Sequence, residues 1–222
     1  MSDNNDQNND LKKETTEAIS QVRDVIKNVD IKEETERTKG FFLDMLSNPI
    51  GKVKEVAGSG SKFLSVAIVI LAVWTASAFL RSVFVALTRT WRFADILPRL
   101  VNVITSTISP VAIVLALALG VYVFYKDKIN KFMPVVITII IASAPRAVGS
   151  VLSILPALIS TSNVIVSAAI AFLNLLSIVL VYFGLKALVG ADDDEKFFSN
   201  FVKIQCVYFV ARVVLSFFGV SI

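Results

Sequence analysis

Three arginines, Arg81, Arg146 and Arg212, sit inside long apolar runs in which no Asp or Glu occurs to pair with them. A charged side chain at membrane depth is costly to keep there, so each is a candidate functional residue. A guanidinium is a planar fork that holds phosphate or carboxylate bidentately and is more weakly hydrated than an ammonium. Gathered in one place, the three would bind an anionic group, and a lipid headgroup phosphate is the nearest candidate. Arg146 also follows Pro145 directly, which puts a charge at a helix break, as in the broken helices of transporter sites. The competing reading is that each arginine snorkels separately to the interface, or binds carbonyls freed at Pro145.

Other chemistry is scarce. The chain has no His and one Cys, Cys206, which leaves no disulfide framework, no His-based zinc site and no His general base. A Ser-Lys pairing through Lys203 is formally open, but a lysine so near a helix end more often snorkels. Gly58-Ser59-Gly60 is a linker, not a phosphate cradle. We therefore expect no enzyme, no catalytic residue, no metal and no cofactor.

The elements that would position the arginines follow from composition. Of the residues 55% are hydrophobic and 18% charged, with mean hydropathy +0.71, against about 45–50% and about 25% in soluble domains. The bilayer is the expected solvent. Five apolar stretches are each long enough for a core of about 30 Å: 63–87, 103–125, 132–155, 164–188 and 197–220. The expected fold is all-α, a polytopic five-helix transmembrane bundle with an N-terminal cytoplasmic amphipathic segment. Lysines 52, 54, 62, 126, 128, 131, 186 and 196 gather on one side against Arg89, Arg92 and Arg99 on the other, which places the N-terminus in the cytoplasm and the C-terminus outside a cell membrane. Counted from the cytoplasmic ends, Arg81, Arg146 and Arg212 then lie at ~27, ~21 and ~22 Å, all in the outer half. Ala112, Ala116 and Gly120 recur every four residues, a spacing that suits close packing within one bundle rather than homodimerisation. Asn174, midway along the fourth stretch, suits a cross-helix hydrogen bond or the wall of a polar path.

Ahead of the bundle, residues 1–10 are too polar to order themselves. Residues 11–39 carry a narrow apolar stripe, a cytoplasmic amphipathic helix. Gly40 punctuates, and residues 41–56 mix Phe41, Phe42 and Leu46 with lysines, the composition of a segment lying on the membrane surface through those three side chains. Asn48-Pro49 should interrupt it, and residues 57–62 read as a flexible hinge into the domain at 63–222. Expected partners are membrane lipids and a membrane protein docking on residues 11–56. Nucleic acid is not expected, because the basic residues do not form a stripe on a soluble face.

The string FFLDMLSNPIGKVKEV, Phe41 to Val56, leading into five closely spaced spans, resembles the Yip1 family over residues 41–222. The resemblance implies a Yip1-like multi-pass fold, whose eukaryotic members act in vesicle traffic with prenylated GTPases. The acidic Asp-Leu-Tyr-Gly-Pro signature of those members is missing here, so GTPase recruitment does not carry over. The expected function is a non-catalytic protein that organises or assists other membrane components. The alternative is a small transporter or lipid-handling protein using the outer arginine cluster.

Overall fold

The computed structural model describes residues 31–88, 96–129, 131–159 and 164–217, with three isolated positions before them. The expected tail at 1–10, most of the helix at 11–39 and the loop arginines Arg89 and Arg92 lie outside the described residues. The elements are α1 (Ile31–Ser47), α2 (Pro49–Gly58), a 3-10 turn (Gly60–Phe63), α3 (Leu64–Thr88), α4 (Ile96–Tyr125), α5 (Phe132–Ala142), α6 (Ala144–Leu152), α7 (Ile154–Ile159), α8 (Val164–Val189) and α9 (Asp194–Phe217).

Among the described residues, α3, α4 and α8 are each long and apolar enough to cross a membrane, and Phe132–Ala142 with Ala144–Leu158, bent by 43° where they join, pass the same test together, which gives three such helices or four if the bent pair is one span. Helix α9 is long enough but less apolar. It begins at Asp194 rather than Phe197, with Asp193 Oδ1 accepting from the Lys196 N–H at 2.9 Å. Its first turn thus carries two acids, suited to the helix N-terminus, and Lys203 and Arg212 follow.

Chain direction alternates through these helices, giving the bundle two ends. At the head end Phe63 packs on Phe41 (ring centroids 5.7 Å), Tyr122 on Phe132 (6.0 Å) and Tyr125 on Phe197 (5.7 Å). Lys186 there pairs with Asp194. Thr88, which ends α3, Ile96, which opens α4, and Val164, which opens α8, lie at the far end.

The head is built into the bundle. Helix α1 runs unbroken through Gly40, and the interruption comes at Asn48, whose side chain accepts the Gly51 N–H at 3.0 Å while Pro49 opens α2. That is an N-cap in which a non-helical residue precedes a proline. Val53 and Val56 are wholly buried, with Val53 over Gly184 of α8. A methyl group on Gly184 would come within 2.5 Å of Val53 Cγ1 and 2.8 Å of Thr138 Cγ2, so only glycine lets α2, α5 and α8 meet there. The expected hinge is likewise a packed turn, with Gly60 buried against Pro134. Lys52 ties α1 to α2, reaching Asp44 at 3.3 Å and Glu55 at 3.0 Å. Burial works against its charge, but hydrogen bonds to these carboxylates outweigh that and raise its pKa above the ordinary lysine value.

Candidate functional site

The far half of the bundle holds an open-sided cavity of about 750 Å³. All five long segments contribute: α3 through Trp74, Arg81 and Ser82, α4 through Asn102 and Ser106, α6 through Arg146 and Ser150 with Ser153 just past its C-terminal end, α8 through Asn174, and α9 through Gln205 and Tyr208. No acidic side chain lines it among the described residues, and none occurs between Phe63 and Ala94, between Ile96 and Lys126, or between Lys128 and Ala191.

The bend in the third apolar segment sets the position of Arg146. Ser143 ends α5, its N–H donating to the carbonyls of Ile139 (3.0 Å) and Ile140 (3.1 Å). Pro145 has no N–H to give. The Arg146 N–H donates across to Ser177 Oγ on α8 at 2.9 Å, which satisfies a buried donor at the break. From that anchor the guanidinium lies 6.0 Å from the centroid of the Trp74 ring. Trp74 is itself buried, its rim facing the cavity. Arg81 enters the same cavity from α3, two turns beyond Trp74.

The energetics favour an anion. Keeping an arginine at membrane depth costs about 2.5–3.5 kcal/mol on insertion scales. A cation–π contact returns about 0.5–2 kcal/mol, and Arg146 makes one with Trp74. A bidentate phosphate or carboxylate between the two guanidiniums would balance both at once.

Neutral polar groups complete the wall, and most of their hydroxyl protons are already committed. Ser82 Oγ donates to the Phe79 carbonyl at 2.7 Å, and Ser153 Oγ to the Ser150 carbonyl at 2.6 Å. Ser77 Oγ lies 2.8 Å from the Trp74 carbonyl and 2.9 Å from Ser150 Oγ. Ser77 has one proton to share between these two acceptors. With their protons given to carbonyls, Ser82 and Ser153 offer acceptor oxygens rather than donors at the cavity wall. Pro110 adds another, because it has no N–H to offer the Ser106 carbonyl one turn back.

Comparison with family models, curated proteins and solved structures gives no match. The Yip1 resemblance therefore stands on the residues at 41–56 and the span pattern alone.

Of the sequence-derived candidates, Arg81 and Arg146 share this cavity, and Arg212 stands one turn beyond Phe209, which also lines it. The Arg212 side chain lies outside the described residues. Arg99 does snorkel-like work elsewhere: its Nη1 donates to the Ala86 carbonyl at 2.7 Å, at the C-terminal end of α3. The membrane-surface trio is corrected. Phe41 is 5% exposed and packed beneath Lys52 against Phe63, Phe42 is half-buried against the core, and Leu46 alone is open, at 79%. The reason is that α1 lies against α2 and α3, so its aromatic face is covered by protein, leaving Leu43 and Leu46 outward.

Sequence reasoning missed Trp74, Asn102, Ser150, Gln205 and Tyr208. A signal existed: Asn102, Ser106 and Ser109 recur at helical spacing, as do Arg146, Ser150 and Ser153, drawing a polar stripe down one face of each apolar helix.

Proposed function

We propose that this protein is a non-catalytic, multi-pass membrane protein that holds an anionic group in the far half of its bundle, the lipid-handling or transport alternative of the sequence reading. The observation that carries this is that Arg81 and Arg146, from separate helices, line one cavity with no acidic side chain in its described wall. Two cationic side chains drawn from separate helices to one wall at membrane depth suit an anionic ligand, because charge–charge attraction is strongest where the dielectric is low.

In this reading α9 crosses as a fifth span, its Lys203 snorkelling and its Arg212 deep. The head and the lysine-rich end face the cytoplasm, the C-terminus lies outside, and the cavity belongs to the outer leaflet. Kinship with the Yip1 family is part of the same proposal, supported by Phe41–Val56 and by the close spacing of the spans. The scaffold role draws less support, since Phe41, Met45, Val53 and Val56 are engaged with the bundle rather than free for a partner.

The test is native mass spectrometry of the full chain released from membranes in mild detergent, beside the Arg81→Gln/Arg146→Gln double variant with a melting curve. Wild type should retain anionic lipid or another anion, and the double variant should lose it. Equal retention by a folded double variant would refute the anion site.

A further inference from the structure

Two features of the cavity go beyond its charge. The first is its surplus of acceptors. A bare phosphate is itself only an acceptor at neutral pH, so it has use for Arg81, Arg146 and the amides of Asn102, Asn174 and Gln205, but none for the oxygens of Ser82 and Ser153, whose protons are committed inside the protein. Those oxygens suit a ligand that brings its own hydroxyl donors. At membrane depth, where water is scarce, a ligand hydroxyl that donates to them adds a hydrogen bond the bare phosphate cannot make.

The second feature is the way into the cavity. Among the described residues α9 packs along α4, and α8 packs along α5 and α6, but the backbones of α8 and α9 scarcely approach one another. They meet through rings at the head end, where Tyr182 touches Phe197 (5.2 Å), Phe198 (6.1 Å) and Phe201 (5.3 Å). Further along, each helix lends its face to the cavity wall: Ile170 and Ile178 flank Asn174 on α8, and Phe209 follows Tyr208 on α9. The seam is thus closed by aromatics at one end and lined by apolar side chains around polar ones at the other. That is the sequence of surfaces an acyl chain and its headgroup present.

We infer, resting on the anion-site reading above, that the ligand is a membrane phosphodiester lipid with a hydroxylated headgroup, entering sideways between α8 and α9. Its phosphate sits between Arg81 and Arg146, and its hydroxyls donate to Ser82, Ser153 or the Ser106 carbonyl. Its acyl chains remain along Ile170, Ile178 and Phe209. Phosphatidylglycerol is the simplest lipid with this chemistry.

The experiment uses the full chain in mixed micelles and native mass spectrometry, with phosphatidylglycerol and phosphatidylethanol in equal amounts. Both carry one negative phosphodiester, and only the first bears headgroup hydroxyls. Phosphatidylcholine is the uncharged-overall reference and sn-glycerol 1-phosphate the soluble arm. The expected result is phosphatidylglycerol retained at least about fivefold over phosphatidylethanol, the yield of one or two net hydrogen bonds, with both above phosphatidylcholine. Ser82→Ala/Ser153→Ala, which orphans no other group, should bring the ratio to about one. Should that variant not fold, the wild-type ratio decides alone. Equal retention of the two anionic lipids overturns the headgroup inference and leaves the anion site standing. No preference for either over phosphatidylcholine overturns both. Displacement of phosphatidylglycerol by millimolar glycerol 1-phosphate overturns the membrane source, making the ligand a soluble phosphoester.

Discussion

The backbone N–H of Arg146 donates to the hydroxyl of Ser177 across 2.9 Å, joining the broken helix pair α5–α6 to α8 at the depth of the cavity. A helix break exposes backbone groups that lipid cannot satisfy, and here a serine on the neighbouring helix takes the freed donor and fixes where the arginine leaves the backbone. Ser177 is buried, so water cannot replace it without a cavity. Ser177→Ala should therefore destabilise by about 1–3 kcal/mol, the cost of an orphaned buried donor, read as a lower melting temperature. Ser177→Thr, which keeps the hydroxyl, should restore most of it. An unchanged melt in the alanine variant would show that the N–H finds another partner.

The side chain of Arg146 separates a fork from a point charge. If it grips a phosphate together with Arg81, Arg146→Lys should lose nearly as much bound anionic lipid as Arg146→Ala, on the order of tenfold, since a lysine cannot reproduce two parallel hydrogen bonds. Were the arginine only snorkelling, lysine would substitute well. Lipid retained per protein on the two variants, with melting curves beside, distinguishes these.

Gly184 is the point where head and bundle interlock. Gly184→Ala should drive a methyl into Val53 and Thr138 and destabilise by about 1–3 kcal/mol through overpacking. Val53→Ala removes the Cγ1 that the new methyl would strike, so the double variant should be less destabilised than the two single changes summed. Strict additivity in thermal melts would mean that α2 does not sit over Gly184.

Much of this architecture was legible in the sequence, because span length, proline position and the Asn48-Pro49 signal are local. The break was expected at Pro145 and falls at Ser143, since Pro145 is accommodated in the first turn of the following helix. Helix α4 starts at Ile96 rather than residue 103 because Pro98 likewise fits a first turn. The docking of the head was not legible. Phe41 and Val53 read equally well as membrane-facing or core residues, and the approach that decides it is a glycine in α8, far along the chain. The cavity was half legible: Arg81 and Arg146 stand out as charges, whereas Ser150, Asn102 and Gln205 look ordinary until their helices are brought together.

Topology bears on which leaflet holds the cavity. In a Cys206→Ser background, Asp127→Cys in the exposed turn after α4 should be shielded from a membrane-impermeant thiol reagent in intact cells, and Thr88→Cys at the end of α3 should react. The reverse pattern would place the arginines in the inner leaflet and invert the orientation proposed above.

The central claim, an anionic phosphorus group held by Arg81 and Arg146, is tested most directly by solid-state NMR on protein with 15N-labelled arginine in phosphatidylglycerol bilayers. The observable is dephasing of guanidinium nitrogens by 31P, which requires a phosphate within a few ångströms. The account predicts a strongly dephased component in wild type that disappears in Arg81→Gln/Arg146→Gln, leaving only the contribution of interfacial arginines. Identical dephasing in wild type and the double variant would contradict it.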